Sequence, residues 1–227
     1  MFYPEAEFVA SSNFSSRRGH RVRMIVLHYT ADGGGAVEWF KDPEARASAH
    51  FVVGRDGRVV QMVPLRDCAW HAGQRPPRGP AILPNETSVG IEITNWGSVA
   101  KSAKGYTTYT GRTVAAKDVA KAEGLYWQRY TARQINALVN LVSWLCGELA
   151  IPREFMFEGQ PGFTRKGKRY DAVPYYLPSG PEGTNSCLAV SRFKDTAGIC
   201  GHCHIASGKD DPGPLLPWDV ILGKAPA

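Results

Sequence analysis

A stretch near the C-terminus places four potential metal ligands and two carboxylates within twelve residues. It runs Cys200-Gly201-His202-Cys203-His204 and, after four more residues, continues as Lys209-Asp210-Asp211-Pro212. Three kinds of site fit these residue types and spacings. They are a haem attached at Cys-x-x-Cys-His, a structural zinc cluster, and part of a catalytic zinc site that a distant histidine completes.

The rest of the chain favours the catalytic zinc site. Proteins with attached haem mature outside the cytoplasm, yet Met1-Phe2-Tyr3-Pro4-Glu5 lacks the basic start and apolar stretch of a secretory signal. A structural cluster needs two ligand pairs, and only Cys187 lies near enough to supplement the first pair. His28, His202 and Asp211 supply the two imidazoles and one carboxylate of a catalytic zinc site that leaves a fourth position for water.

Two predicted strands carry the reactive residues of the N-terminal half. The apolar run Met24-Ile25-Val26-Leu27 ends at His28 and is followed by Gly33-Gly34-Gly35, which predicts a buried strand with His28 at its end. In Val89-Gly90-Ile91-Glu92-Ile93-Thr94 the apolar residues alternate with period two. Glu92 therefore points away from the apolar face of its strand.

The remaining pattern predicts one α/β domain over residues 1–227, with a core at about 20–222 and a central mixed β-sheet flanked by helices. The other predicted elements are a short helix at 36–41, a hairpin of 50–53 and 59–63 around Gly54 and Gly57, and an amphipathic helix that Thr131 and Gln134 open as a capping box. Residues 97–124 and 158–198 are predicted to be two long loop insertions, candidates for walls of the site.

Composition narrows the class of protein. A chain of 227 residues with 43% apolar content can bury a sizeable core, and it has no apolar run of 18 residues that could span a membrane. Five cysteines make an odd number in a chain too large to need stapling, so we expect reduced thiols. The net charge of +6 favours an anionic partner such as nucleic acid, acidic lipid or a cell-wall polymer.

Five segments occur in a recognisable order between residues 22 and 222. They are Ile25-Val26-Leu27-His28-Tyr29-Thr30, Ser48-Ala49-His50-Phe51-Val52-Val53 with Asp56-Gly57, Ala69-Trp70-His71-Ala72-Gly73, Asn85-Glu86-Thr87-Ser88-Val89-Gly90-Ile91-Glu92, and Gly201-His202 with Lys209-Asp210-Asp211-Pro212-Gly213-Pro214-Leu215. Together they resemble the zinc-dependent N-acetylmuramoyl-L-alanine amidases of the type-2 amidase family. Peptidoglycan-recognition proteins and some phage lysins are related to that family.

The resemblance implies a mixed sheet with Zn²⁺ in a surface groove. It also implies that His28, His202 and Asp211 are the zinc ligands, that Glu92 is the general base and that Lys209 stabilises the oxyanion. The implied reaction is hydrolysis of the amide between N-acetylmuramic acid and L-alanine. A catalytically silent module that binds peptidoglycan through the same groove is the alternative.

Further residues are expected to contact the substrate or to modify the metal site. His71, Trp70, His50 and Asn95 are candidate substrate contacts. This chain departs from its relatives by having eight residues between His202 and Asp211, one fewer than usual, and a histidine at 204 where they carry aspartate. His204 and Cys203 are therefore candidates for an outer partner or a substitute ligand.

The same resemblance narrows the expected partner and place of action. We expect peptidoglycan or muropeptides, no nucleic acid, no membrane span and a monomer. Without a visible signal peptide, we expect synthesis in the cytoplasm and action on cell wall or its fragments, during phage lysis, wall recycling or after unconventional export.

Overall fold

The strand that ends at His28 lies inside a six-stranded mixed sheet. The computed structural model describes residues 1–73, 84–165, 168–178, 188, 195–206 and 208–226. Within them the strands are β1 (Glu7–Phe8), β2 (Phe14–Ser16), β3 (Met24–Tyr29), β4 (Phe51–Val53), β5 (Val59–Gln61), β6 (Asp67–Ala69), β7 (Ser88–Ile93), β8 (Ser98–Ser102), β9 (Gly105–Thr107), β10 (Thr113–Val114), β11 (Val119–Ala122), β12 (Leu125–Gln128), β13 (Pro161–Arg165), β14 (Lys168–Ala172) and β15 (Gly198–Gly201). The order in the main sheet is β1-β5-β4-β7-β3-β15.

The helices of the described residues are few and mostly short. They are α1 (Ala36–Lys41), α2 (Pro84–Thr87), α3 (Ala132–Leu149), α4 (His202–Ile205) and α5 (Trp218–Ile221), with 3₁₀ turns at Pro43–Ala45 and Ala116–Asp118. The predicted helix at 36–41 and the predicted hairpin, β4 paired antiparallel with β5, are confirmed. None of these helices is long and apolar enough to cross a membrane.

Parallel pairing brings the reactive residues to one edge of the sheet. β3 pairs in parallel with both β7 and β15, and His28 lies directly opposite Glu92. Gly201, the last residue of β15, pairs with Leu27, so His202 follows at the start of α4. Because parallel strands present their carboxyl ends at the same edge, His28, Glu92 and His202 meet there.

Helix α3 covers the apolar face of this sheet. The predicted capping box is present: Thr131 Oγ1 accepts from Gln134 N at 3.1 Å, and Gln134 Oε1 accepts from Thr131 N at 3.1 Å. Leu138 and Leu145 are fully buried in the main core, together with Ile91 of β7. The helix thus fixes one face of β7 and leaves the other face for chemistry.

The prediction of a loop at 97–124 is wrong. Strands β8 to β12 form a five-stranded antiparallel sheet in the order β10-β9-β8-β12-β11. Val99, Val114 and Val119 form a small core of its own, and Gly105, Gly111 and Gly124 turn the chain with positive φ. Each strand is two to five residues long, too short to give a clear alternation in the sequence.

The second predicted insertion, 158–198, is described only in part. Strands β13 and β14 pair as an antiparallel hairpin at 161–172, so this portion is not an irregular loop. Residues 166–167, 179–187 and 189–194, including Cys187, lie outside the described residues. The other four cysteines are free thiols, and Cys146 packs against the main core as predicted.

Candidate metal centre and active site

Three buried side chains converge at the carboxyl edge of the sheet. His28 Nδ1 and His202 Nδ1 each lie 2.9 Å from the same atom, Asp211 Oδ2. Their ligand atoms all lie within 4.8 Å of one another. Zinc bonds of about 2.1 Å put the ligand atoms of a tetrahedral site about 3.4 Å apart. Two imidazole nitrogens and a carboxylate oxygen at these separations therefore fit one zinc-sized ion.

The charge states of these groups suit a cation. Burial, together with the nearby His202, lowers the pKa of His28 to about 4, so this imidazole is neutral at neutral pH. Burial alone would raise the pKa of Asp211, but the neighbouring His202 holds that pKa well below its usual range. A neutral nitrogen and an ionised carboxylate are the forms that bind a metal.

Glu92 stands beside this cluster. Its Oε2 atom is shielded from solvent and has no hydrogen-bond partner in the described part of the chain. The pKa of Glu92 is raised to about 8, mainly by burial and further by the charge of Asp211, while the Lys209 ammonium opposes the rise. A divalent cation bound nearby would favour the carboxylate and lower this pKa again. Glu92 is thus placed to exchange a proton near neutral pH.

The raised pKa of Glu92 predicts a pH-dependent stability difference in the metal-free protein. Between about pH 4.5 and pH 8 the unfolded chain loses this proton while the folded chain keeps it, so stability falls as pH rises through that window. Glu92→Gln removes the titration. We expect its Tm advantage over wild type, measured by calorimetry in EDTA, to be small at pH 5 and larger at pH 8. An advantage that does not grow with pH would contradict the assigned environment.

A groove of about 400 Å³ opens over the cluster. It brings together seven of the residues predicted from the sequence: His28, Trp70, His71, Glu92, His202, Lys209 and Asp211. Lys209 is exposed at the rim, and Trp70 is half-buried with its Nε1 donating to Ser15 Oγ at 3.1 Å. The groove thus brings together the candidate metal ligands, the Glu92 carboxylate, the Lys209 ammonium group and the Trp70 indole ring.

Two predicted substrate contacts do not line this groove. His50 is fully buried, with Nε2 2.8 Å from Arg17 Nη2 and Nδ1 accepting from Gly90 N at 3.1 Å. Asn95 is 1% exposed; its Oδ1 accepts from Gly97 N and its Nδ2 donates to Gln128 O. Both side chains are occupied by protein partners, so the structure does not support substrate contact for either one.

The two candidates for a modified metal site also lie outside the cluster of His28, His202 and Asp211. His204 Nε2 lies 3.0 Å from Pro174 O, and Nδ1 lies 3.1 Å from Gly201 O. Its ring packs on Phe155 and Phe157. The Cys203 thiol is buried, and burial raises its pKa above the ordinary value. Within the described residues, the group able to hold a metal ion comprises His28, His202 and Asp211 alone.

Sequence reasoning missed several residues that support the site. Ser88 Oγ lies 3.0 Å from His71 Nε2, and Asn85 Oδ1 accepts from the backbone N of His71 and of Ala72. Ser88 and Gly90 share the face of β7 that carries Glu92, because side chains two residues apart in a strand point the same way. The period-two pattern that placed Glu92 was therefore the signal that could have found Ser88 and Gly90.

Comparison with known proteins places this geometry in a family. Residues 18–214 match the family model described as N-acetylmuramoyl-L-alanine amidase. The N-acetylmuramoyl-L-alanine amidase AmiD of Escherichia coli is 36% identical over 211 residues, which cover 88% of this chain and 52% of AmiD. N-acetylmuramoyl-L-alanine amidase A of Achromobacter lyticus is 23% identical, covering 92% of this chain and 85% of that protein. The chain thus spans about half the length of AmiD.

Solved structures show the same fold. A selenomethionine derivative of AmpD superposes with a TM-score of 0.53 at 20% identity, covering 98% of this chain and 95% of that one. AmiD from E. coli, solved with the substrate anhydro-N-acetylmuramic acid-L-Ala-D-gamma-Glu-L-Lys, superposes with a TM-score of 0.52 at 24% identity, covering 94% and 66%. With the family match over most of its length, the chain belongs to the N-acetylmuramoyl-L-alanine amidase family.

Proposed function

We propose that this protein is a zinc-dependent amidase that cleaves the bond between the lactyl group of N-acetylmuramic acid and the L-alanine of the stem peptide. One observation supports this most strongly: the His28, His202 and Asp211 cluster shares a groove with Glu92, whose Oε2 has no partner among the described residues. A site built only for binding has no use for a carboxylate left unpaired beside a metal cluster.

Zinc held by His28, His202 and Asp211 would supply Lewis acidity, which acidifies water and polarises a carbonyl. Glu92 accepts the proton that the attacking water loses, since it lies opposite His28 in the sheet. It then returns that proton to the alanine nitrogen as the amide bond breaks. The raised pKa of Glu92 suits a group that must both take and give a proton.

Lys209 contributes at the rim of the groove. Its ammonium group would face the negative charge that develops on the amide oxygen, and the side chain is exposed and free to reach a bound substrate. A donor placed at a developing oxyanion lowers the barrier more than it strengthens substrate binding. Trp70 offers a flat apolar surface in the same groove on which a sugar ring or peptide can lie.

Lys209→Met should separate turnover from binding. We expect kcat on a muropeptide to fall by about 10²–10³-fold while KM changes much less, because the charge acts mainly in the transition state. Lys104→Met, which removes an exposed charge in the turn between β8 and β9, is the matched control. Steady-state kinetics on a defined muropeptide measure both constants. An increase in KM alone would assign Lys209 to substrate binding instead.

The substrate class is supported by charge and by the family. A net charge of +6 suits the anionic carboxylates of muropeptides and of peptidoglycan. AmiD was crystallised with an anhydro-muramyl peptide. We therefore propose muropeptides or peptidoglycan as substrate.

Metal analysis combined with digestion distinguishes the amidase from a silent binding module. An active amidase should contain about one zinc per chain and release free stem peptides from purified peptidoglycan. A silent module would instead sediment with peptidoglycan and release nothing. Chelation followed by zinc return should abolish and restore cleavage.

A further inference from the structure

A chain of hydrogen bonds runs from the metal cluster into the protein behind His28. His28 Nε2 lies 2.9 Å from His71 Nδ1, and His71 Nε2 lies 3.0 Å from Ser88 Oγ. Ser88 Oγ in turn lies 2.5 Å from Pro84 O, the carbonyl at the start of α2. The side chains of His28, His71 and Ser88 are all buried.

The carbonyl at the far end fixes the direction of every bond. Pro84 O can only accept, so the Ser88 hydroxyl proton must lie between these two oxygens. Ser88 Oγ has then used its one proton and must accept from His71 Nε2–H. A neutral His71 with its proton on Nε2 has a lone pair on Nδ1, which accepts from His28 Nε2–H.

These bond directions decide which nitrogen of His28 carries the proton. With its proton on Nε2, neutral His28 has a lone pair on Nδ1, the atom that lies 2.9 Å from the Asp211 carboxylate. Two electron pairs at that distance repel each other unless a cation lies between them. The chain of bonds therefore presents His28 in the one neutral tautomer whose Nδ1 can bind a metal.

The surrounding backbone is shaped to hold the His71 ring in this position. A Cβ atom at Gly90 would lie 2.3 Å from His71 Cγ, so only glycine leaves room for the imidazole against β7. Asn85 Oδ1 accepts from His71 N at 3.2 Å and from Ala72 N at 2.7 Å, and Asn85 Nδ2 donates to Gly73 O. The ring is thus fixed by packing on one side and by its own backbone on the other.

We propose that His71 is a positioning residue that fixes the tautomer and orientation of His28 for metal binding, rather than a substrate contact. This inference rests on the proposed metal centre. Both ring nitrogens of His71 are already engaged by His28 and Ser88. His202 differs, because its Nε2 has no partner in the described residues. The two imidazole ligands are therefore held unequally, and His28 is the one preset for the ion.

Zinc affinity of purified variants tests this role without any reference to activity. His71→Leu removes the acceptor for His28 Nε2–H, whereas His71→Asn can place an amide oxygen near the position of Nδ1. We expect His71→Leu to weaken zinc binding by about 10–100-fold, as loss of an outer partner does, and His71→Asn to recover part of that loss. Competition with a chromophoric chelator measures the Kd.

Gly90→Ala tests the same positioning role by displacing the His71 ring instead of replacing it. The new methyl group would push the His71 ring away from His28 while leaving every hydrogen-bonding group in the chain. We expect weaker zinc binding here as well, and no change for Gly147→Ala in α3, where a Cβ meets nothing within 4 Å. The Tm of each variant in EDTA separates lost affinity from lost folding. Should a variant not fold, Ser88→Ala removes the hydroxyl that accepts from His71 Nε2–H and carries the same expectation.

The outcomes separate this inference from the proposed function. If wild type binds zinc and His71→Leu binds it equally well, the positioning role is wrong while the metal centre stands. If wild type binds no zinc, the metal centre itself fails. In the zinc-loaded protein, ¹⁵N NMR should find the His71 proton on Nε2, and a proton on Nδ1 would reverse the chain of bonds and overturn the proposal.

Discussion

Glu92→Gln is expected to lower turnover on peptidoglycan by about 10²–10⁴-fold, the range that a general acid–base group contributes. Glutamine keeps the size of the side chain but can neither take the proton of the attacking water nor return it to the alanine nitrogen. Because Glu92 does not belong to the cluster of three ligands, zinc content should stay unchanged. Release of stem peptides, followed by chromatography, measures the rate.

Two comparisons make the Glu92 result specific. Glu38→Gln replaces an exposed carboxylate on α1 that pairs only with Lys41 in the described contacts, and it should leave turnover unchanged. Metal analysis of Glu92→Gln must still find zinc, because a metal-free variant would be inactive for another reason. Turnover within about tenfold of wild type would remove Glu92 from the reaction.

Asp211→Asn is expected to abolish zinc binding and activity together. The two histidines share the same oxygen of Asp211, at 2.9 Å each, so the change removes the anionic ligand and its charge. The loss should exceed the about 10–100-fold cost of losing an outer partner. Calorimetric titration with zinc, along with peptidoglycan digestion, gives both readouts.

The neighbouring aspartate provides a matched control for this result. Asp210 is adjacent in sequence and half-buried, but it accepts from Tyr176 OH at 3.3 Å and lies outside the cluster. Asp210→Asn should keep zinc affinity close to wild type. Cys203→Ala should do the same, because the buried thiol is not part of the cluster. Loss of zinc in Cys203→Ala, with retention in Asp211→Asn, would show that the shortened spacing has changed the ligand set.

The strands that carry His28 and Glu92 were predictable because the local sequence pattern of each strand agrees with its pairing in the sheet. The apolar run before His28 and the alternation around Glu92 each define a strand and a face. Parallel pairing then brings the two residues side by side in register. The capping box at Thr131 was equally visible, because its hydrogen bonds join residues three apart in sequence.

The contacts of His50, Asn95 and His71 join distant segments of the chain and could not be predicted from the sequence pattern. All three were candidate substrate contacts, but burial decides what a polar side chain can touch. His50 meets Arg17, 33 residues away, and His71 meets His28, 43 residues away. The small antiparallel sheet at 98–128 escaped prediction for a different reason, since its strands are short and its own core contains only three buried valines among the described residues.

In the proposed reaction, water that is activated beside the His28, His202 and Asp211 cluster attacks the lactyl carbonyl of N-acetylmuramic acid. Mass spectrometry of peptidoglycan digested in H₂¹⁸O tests it most directly. The mechanism predicts one ¹⁸O atom in the lactyl carboxylate of the sugar product, an unlabelled peptide that begins with a free L-alanine amine, and far less of both products from Glu92→Gln in the same digestion time. Label in a peptide carboxylate or at a sugar hydroxyl would mean that a different bond is cleaved and would contradict the assigned reaction.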